Sequence, residues 1–123
     1  MTILESINSL DELKDNGYSQ EQKIGWLSDL DGIIKTEIID THEGGENVQF
    51  EGYNDSTPLN TILLVPAPYE DIYRYYLEAQ IDYANGEYGK YNNAISMYNT
   101  VYASFAKHYN RQHMPKSEKR FLF

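Results

Sequence analysis

The sequence predicts an all-α protein, a small helical bundle that ends in an antiparallel helical hairpin and contains one long loop. Apolar residues recur at helical spacing in four segments, and Asn-Gly at 85–86 separates the last two. Glycine and proline interrupt the stretch between the second and third segments. The 123 residues fit a single helical domain spanning 1–123, in which we expect 1–112 to be folded and 113–123 to form a basic tail.

The N-terminal third predicts two helices. Apolar spacing indicates a short helix over 3–14, which Asp-Asn-Gly at 15–17 stops. Ser19 and Gln22 then form a capping-box pattern, in which the two side chains satisfy free backbone N–H groups at a helix start. A one-sided apolar run extends this second helix over 20–42: Ile24, Leu27, Leu30, Ile34 and Ile38.

A long loop follows over 43–60, because glycine, asparagine and proline recur there too often for a long regular element. The next run, TILLV at 61–65, indicates a short extended segment or a short strand, and so brief an apolar run does not separate the two. Loops of this length in compact domains are usually functional or mobile. We therefore expect the loop to contact a partner rather than to take part in catalysis.

Tyrosine dominates the C-terminal half. The third helix is predicted to begin with Pro68 in its first turn and to end near Ala84, and the fourth spans about 87–112. Both carry an apolar seam that alternates steps of four and three, which is typical of packed helices. The seam residues are Tyr69, Tyr73, Tyr76, Gln80 and Tyr83 in the third helix and Tyr91, Ile95, Tyr98, Tyr102, Phe105 and Tyr109 in the fourth.

Two adjacent seams predict an antiparallel hairpin with the tyrosine rings inward and the hydroxyls at the groove edge. Leu77 and Ile81 fall at the border of the third-helix stripe, and Asp82 falls on the opposite, charged face. Tyr75 also points with the charged face, so it is the best candidate in this helix for contact with a partner. An aromatic interface with another subunit stays open as a second interpretation of the tyrosines.

Charge is distributed unevenly. The net charge is −9, which argues against nonspecific nucleic-acid binding, because such binding depends on lysine and arginine. Residues 1–71 hold 15 acids and 3 bases, whereas 72–123 hold 4 acids and 7 bases. One interpretation is a solvated acidic face plus a frayed tail. The other is that the tail, through Lys116, Lys119 and Arg120, docks on an acidic partner such as a second copy.

The sequence gives little indication of catalysis. It has no cysteine, its three histidines form no metal-binding pair one turn apart, and it lacks a glycine-rich phosphate loop and a serine nucleophile elbow. Asp29, Asp31 and Glu37 are best explained as a solvated helix face. We therefore predict no enzymatic activity, no cofactor and no metal. An acidic N-terminus and short apolar runs predict neither a signal peptide nor a membrane span, so we expect a cytoplasmic protein.

Two resemblances add expectations. The segment YLEAQIDYANGEYGKYNNAISMYNTV resembles one tetratricopeptide repeat, with its helix, NGEY turn and small Ala94. A solenoid is not expected from it, because one copy is present and such arrays need about three.

The second resemblance covers nearly the whole chain, and is carried by the runs around WLSDLDG at 26–32 and LLVPAPY at 63–69. In these runs the chain resembles small proteins encoded in the structural gene blocks of tailed phages and prophages of Gram-positive bacteria, specifically the head–tail connector, or adaptor, group. The resemblance implies a helical virion protein that forms a ring under the portal, extends the DNA channel, and contacts its own copies and portal or tail proteins. No functional residues are transferred by it.

The charge split suits a ring, because identical subunits in a ring need two different complementary faces. An acidic surface would also repel DNA and let it slide through a channel. The alternatives are an acidic phage-derived binding protein, either a DNA mimic or a tetratricopeptide-like interaction module, and a small enzyme. A mimic needs carboxylates in phosphate-like rows, whereas an adaptor needs separate acidic and basic faces.

Overall fold

The structure, a computed structural model, describes residues 1–116 and is built mainly from helices. A π-helical turn at Lys35–Ile39 continues the second helix, and a 3-10 turn follows at Gly45–Asn47. The described residues contain no β-strand, so the predicted all-α class is confirmed. The four α-helices are α1 (Ile3–Leu13), α2 (Gln20–Ile34), α3 (Asp71–Ala84) and α4 (Tyr88–Gln112).

Side-chain caps define the starts of α1 and α2. Ser19 Oγ accepts a hydrogen bond from the Gln22 backbone N–H at 3.1 Å, and the Gln22 side chain accepts one from the Ser19 N–H, which confirms the predicted capping box. Thr2 and Glu5 form a second capping box at α1. These caps satisfy backbone donors that the helices themselves leave free.

The second helical segment ends at Ile39 rather than at the predicted 42, and its last turn is π-helical. The backbone N–H of Asp40 donates to the Lys35 carbonyl at 2.8 Å, which closes the wider turn. Ile38 and Ile39 are both buried, although they are consecutive. The wider turn thus accompanies two adjacent apolar side chains in the core.

Contacts at the helix ends set the directions of the helices. The amino group of Met1 contacts Glu70 before α3, and Lys14 after α1 contacts Asp82 near the end of α3, so α1 and α3 run the same way. Near the start of α2, Tyr18 bonds Asn85 after α3, so α2 runs opposite to α3. Since α3 and α4 form an antiparallel hairpin, α2 and α4 also share a direction.

The third helix is central in the bundle. The prediction that it has a single apolar stripe is therefore wrong. α1, α2 and α4 all pack against α3, so more than one of its faces is buried. Leu77 and Ile81, predicted at the border of the stripe, are fully buried, whereas Tyr83, predicted within the seam, is 59% exposed. Pro68 also lies outside the first helical turn, because α3 begins at Asp71.

The α3–α4 hairpin and its aromatic seam are confirmed. Tyr69 packs on Phe105 with ring centroids 5.7 Å apart, and Tyr76 packs on Tyr98 at 5.5 Å. Burial raises the pKa of Tyr98 to about 12. The Tyr102 hydroxyl reaches the edge of the bundle and donates to Glu37 Oε1 at 2.6 Å, as the predicted ring-inward geometry requires.

The extended segment runs beside the start of the chain. Ile62 forms an isolated antiparallel bridge with Thr2, and the N–H of Leu63 donates to the Met1 carbonyl at 2.9 Å. Leu63 and Val65 are buried, whereas Ile62 is exposed. The segment at 61–65 is therefore extended and half-buried, and it holds the long loop against the helices.

Candidate functional site

An exposed group of aromatic rings lies at the end of the bundle where α3 turns into α4. We call Tyr83, Tyr88 and Tyr91 the tyrosine patch. The ring of Tyr83 lies 5.7 Å from that of Tyr88 and 5.3 Å from that of Tyr91. Tyr83 and Tyr88 are each 59% exposed, and Tyr91 is half-buried. Rings in contact with one another but open to solvent are typical of protein interfaces.

Tyr75, the predicted contact residue, is half-buried rather than on an open face. The Arg74 guanidinium lies over its ring, 4.8 Å from the centroid. The ring lines an open groove between α3 and α4, together with Glu78 and Met97. Tyr75 lies with the charged residues Arg74 and Glu78 as predicted, but α4 covers one side of this face, so the ring is half-buried rather than open to solvent. Its contact with a partner stays a prediction.

The prediction that Asp82 lies on a solvent-exposed charged face of α3 is wrong. Its carboxylate is buried and accepts a hydrogen bond from Lys14 Nζ at 2.6 Å, so it joins α1 to α3 rather than facing solvent. One turn earlier on α3, burial raises the pKa of Glu78, and the positive charges of Arg74 and Lys14 oppose this rise.

Most of the basic side chains form ion pairs within the chain. Residues 1–116 contain eight lysines and arginines, and six of them contact a carboxylate. Within this part of the chain, the two that contact none are Lys107 and Arg111, one turn apart on α4. Both are exposed. We call them the basic pair.

Lys116, predicted to act from a basic tail, is held by the chain itself. Its backbone N–H donates to the Thr41 carbonyl at 2.8 Å, and its Nζ lies 3.7 Å from Glu46 Oε1. The ring of His113 stacks on Tyr109, with centroids 3.9 Å apart. Residues 113–116 therefore pack against the bundle. The other two predicted contact residues, Lys119 and Arg120, lie outside the described residues.

The prediction that Asp31 belongs to a solvated acidic helix face is wrong. Its carboxylate is completely buried and accepts three hydrogen bonds, from the Tyr73 hydroxyl at 2.6 Å, the Tyr53 hydroxyl at 2.6 Å and the Leu64 N–H at 3.1 Å. The Val65 N–H donates in turn to the Tyr73 hydroxyl. Asp31 thus ties the long loop and the extended segment to α2 and α3.

The spacing of apolar residues around Asp31 already indicates that this aspartate is buried. Along α2 and the π-helical turn, the aspartate occupies a core position, because these residues step by three, four, three and four: Ile24, Leu27, Asp31, Ile34 and Ile38. By contrast, Asp29 and Glu37 are exposed, as predicted. A carboxylate in an apolar stripe needs hydrogen-bond donors, and the two tyrosines that supply them here come from distant segments.

Asp31 makes a pH-dependent contribution to stability. Burial raises its pKa above the ordinary 3.8, and the hydrogen bonds from Tyr53, Tyr73 and the Leu64 N–H oppose the rise without cancelling it. Since the folded-state pKa exceeds the unfolded one, this contribution is complete below the unfolded pKa and is lost as pH rises through the folded pKa.

We therefore expect the free energy of unfolding of the wild-type protein, relative to that of Asp31→Asn, to fall as pH rises from the ordinary aspartate pKa of 3.8 toward neutral pH. Urea melts of both proteins across this range would measure it. All other titratable groups are the same in both proteins, so their contributions cancel in this difference. A relative stability of the wild-type protein that rises with pH would contradict the raised pKa of Asp31.

His42 is buried between the π-helical turn and α4. Its Nε2 lies 2.5 Å from Asn110 Oδ1, and its Nδ1 lies 2.5 Å from the Ile38 carbonyl oxygen. These contacts fix the imidazole as a link between the two elements. Within residues 1–116, no three histidine, aspartate or glutamate side chains are grouped so that they could hold a metal ion.

Comparison with protein-family models, curated proteins and solved structures finds no match for the chain. Over the described 116 residues, no helix has both the length and the apolar character needed to cross a lipid bilayer.

Proposed function

We propose that the chain is a structural virion component at the phage head–tail junction, a non-enzymatic subunit of a connector ring that contacts its own copies and portal or tail proteins. Such a protein would be made in the host cytoplasm and incorporated into the virion. The observation that carries the proposal is the presence of two chemically different surfaces, the tyrosine patch and the basic pair, near opposite ends of α4. A ring of identical subunits requires such a pair of unlike surfaces.

The resemblance around WLSDLDG and LLVPAPY supports the same function, and the structure indicates what these runs do for the fold. The first run contains Asp31, and the second contains Leu64 and Val65, whose N–H groups join the Asp31 network. These runs therefore support a shared fold more directly than a shared binding site.

The DNA-mimic alternative is less well supported by the acidic residues. Asp11, Asp40 and Asp82 each form an ion pair with a lysine, and Asp31 is buried. A mimic gains affinity from unpaired carboxylates that replace phosphates, because basic side chains of the target must bind them. Carboxylates already held by lysines contribute little to such a surface.

Deleting the gene from a phage or prophage that carries it tests the proposal. We expect DNA-filled heads and complete tails that fail to join, and joining should be restored when the wild-type chain is supplied from a plasmid. Electron microscopy of lysates and mass spectrometry of purified particles would measure both effects. Normal particles after deletion, or wild-type particles that lack the protein, would overturn the proposal.

A further inference from the structure

The tyrosine patch has the chemistry of a site for cationic side chains. The faces of aromatic rings carry negative potential and attract lysine and arginine, and Tyr83 and Tyr88 leave much of their ring surface open. The surrounding end of the bundle is also acidic. Of its six carboxylates, Asp11, Asp82 and Glu87 are paired with Lys23, Lys14 and Lys90, whereas three exposed ones form no ion pair within residues 1–116: Glu12, Asp15 and Glu21.

The basic pair has the complementary chemistry. Lys107 and Arg111 are exposed and contact no carboxylate within residues 1–116. On a helix, positions four apart lie on the same side, so both cations project together from α4. The residues that α4 exposes between the two surfaces are uncharged, among them Ser96, Asn99, Thr100 and Ala103.

One chain cannot bring these two surfaces together. Tyr88 and Tyr91 lie in the first turn of α4, whereas Lys107 and Arg111 lie in its last two turns. At 1.5 Å per residue, a continuous helix holds them roughly 25–35 Å apart. A contact between them therefore requires two copies.

We propose that the tyrosine patch of one copy binds the basic pair of a second copy in an end-to-end contact. This contact deepens the proposed ring function and rests on it, because it identifies the surfaces through which successive subunits join. The contact is heterologous, so each copy keeps one free surface after pairing. Repetition then closes a ring if the rotation between copies permits, or extends a filament if it does not.

Sedimentation velocity over a range of protein and salt concentrations tests the contact. We expect the wild-type protein to associate with increasing concentration and to dissociate with added salt, because salt screens exposed charges. The double variants Tyr83→Ser/Tyr88→Ser and Lys107→Gln/Arg111→Gln should each associate at least about tenfold more weakly.

Matched controls separate the contact from general effects. Met97→Ser removes another exposed apolar side chain of α4, and Ser96→Glu/Asn99→Glu lowers the net charge by the same two units as the basic-pair variant. Both controls should associate like the wild-type protein. Circular dichroism and urea melts would verify that every variant is folded.

Mixing the two interface variants gives the sharpest test. The tyrosine variant retains its basic pair, and the basic-pair variant retains its tyrosine patch, so an equimolar mixture should form a 1:1 dimer that cannot grow further. Failure of the mixture to associate would overturn the contact. A wild-type chain that stays monomeric at high concentration, or variants that associate like the controls, would overturn it too. The proposed head–tail function would then still be decided by the gene deletion.

Discussion

Replacing Asp31 with alanine is expected to lower the free energy of unfolding by about 3–5 kcal/mol. The substitution leaves the hydroxyls of Tyr53 and Tyr73 and the Leu64 N–H without their acceptor, and Asp31 and Tyr73 are themselves completely buried. Each buried donor left unpaired costs about 1–3 kcal/mol. The sum is a large part of the about 5–15 kcal/mol that stabilises a typical domain.

Urea denaturation monitored by circular dichroism measures this effect. Asp29→Ala is the matched control, because it removes an exposed carboxylate from the same helix two residues earlier, and it should change stability by no more than about 0.5 kcal/mol. The loss of unfolding free energy caused by Tyr73→Phe should lie between those of the two alanine variants, at about 1.5–3 kcal/mol, because this change removes one hydrogen bond to the Asp31 carboxylate. If Asp31→Ala were as stable as Asp29→Ala, the buried network would not hold the loop.

Replacing Gly45 with alanine is expected to destabilise the protein by about 1–3 kcal/mol through steric overlap. A Cβ at this position would lie 2.4 Å from the Ile39 carbonyl oxygen and 3.1 Å from the Asp40 Cα, which are backbone atoms at the end of the π-helical turn. Backbone atoms cannot move aside as a flexible side chain can. The Gly45 carbonyl also accepts a hydrogen bond from Lys35 Nζ at 3.1 Å, so a shift of this turn would disturb that bond.

Gly25→Ala is the control for this substitution. Nothing lies within 4 Å of a Cβ at Gly25, which is exposed within α2, so alanine there should stabilise the protein by about 0.5–1 kcal/mol. Urea melts of the two variants should therefore shift in opposite directions. A stabilising Gly45→Ala would show that the chain around Ile39 relaxes without cost, against the close packing seen there.

Both effects concern how residues 40–65 are held to the helices, and this bears on the proposed function. Tyr53 bonds to Ser28 and Asp31 of α2, so this part of the loop is fixed to the bundle rather than free to reach a partner. The surfaces that we propose for contact between copies lie instead on α4 and the adjoining end of α3. The expectation that the loop contacts a partner stays a prediction.

The helices themselves were predictable because they depend on local chemistry. Apolar spacing, the Ser19 capping box and the Asn-Gly break located α1, the start of α2 and the hairpin to within a few residues. The end of α2 differs more, because α2 ends at Ile34 and its π-helical continuation at Ile39 rather than at the predicted 42. The seam spacing also predicted correctly that most tyrosines of α4 pack inward. Propensity, capping and turn chemistry act between residues a few positions apart, so the order of amino acids is enough to specify them.

The burial of particular side chains was decided by the tertiary structure. Periodicity assigns one apolar face to each helix, but α3 packs against three neighbours and so buries Leu77, Ile81 and Asp82 on different sides. Asp31 becomes a core residue because Tyr53 and Tyr73, 22 and 42 residues away, reach it in the fold. Tyr83 continues the seam in sequence but is exposed at the end of the bundle. The sequence by itself determined the helices, the hairpin break and the charge imbalance, whereas packing between distant segments determined which tyrosines form the core and which form a surface.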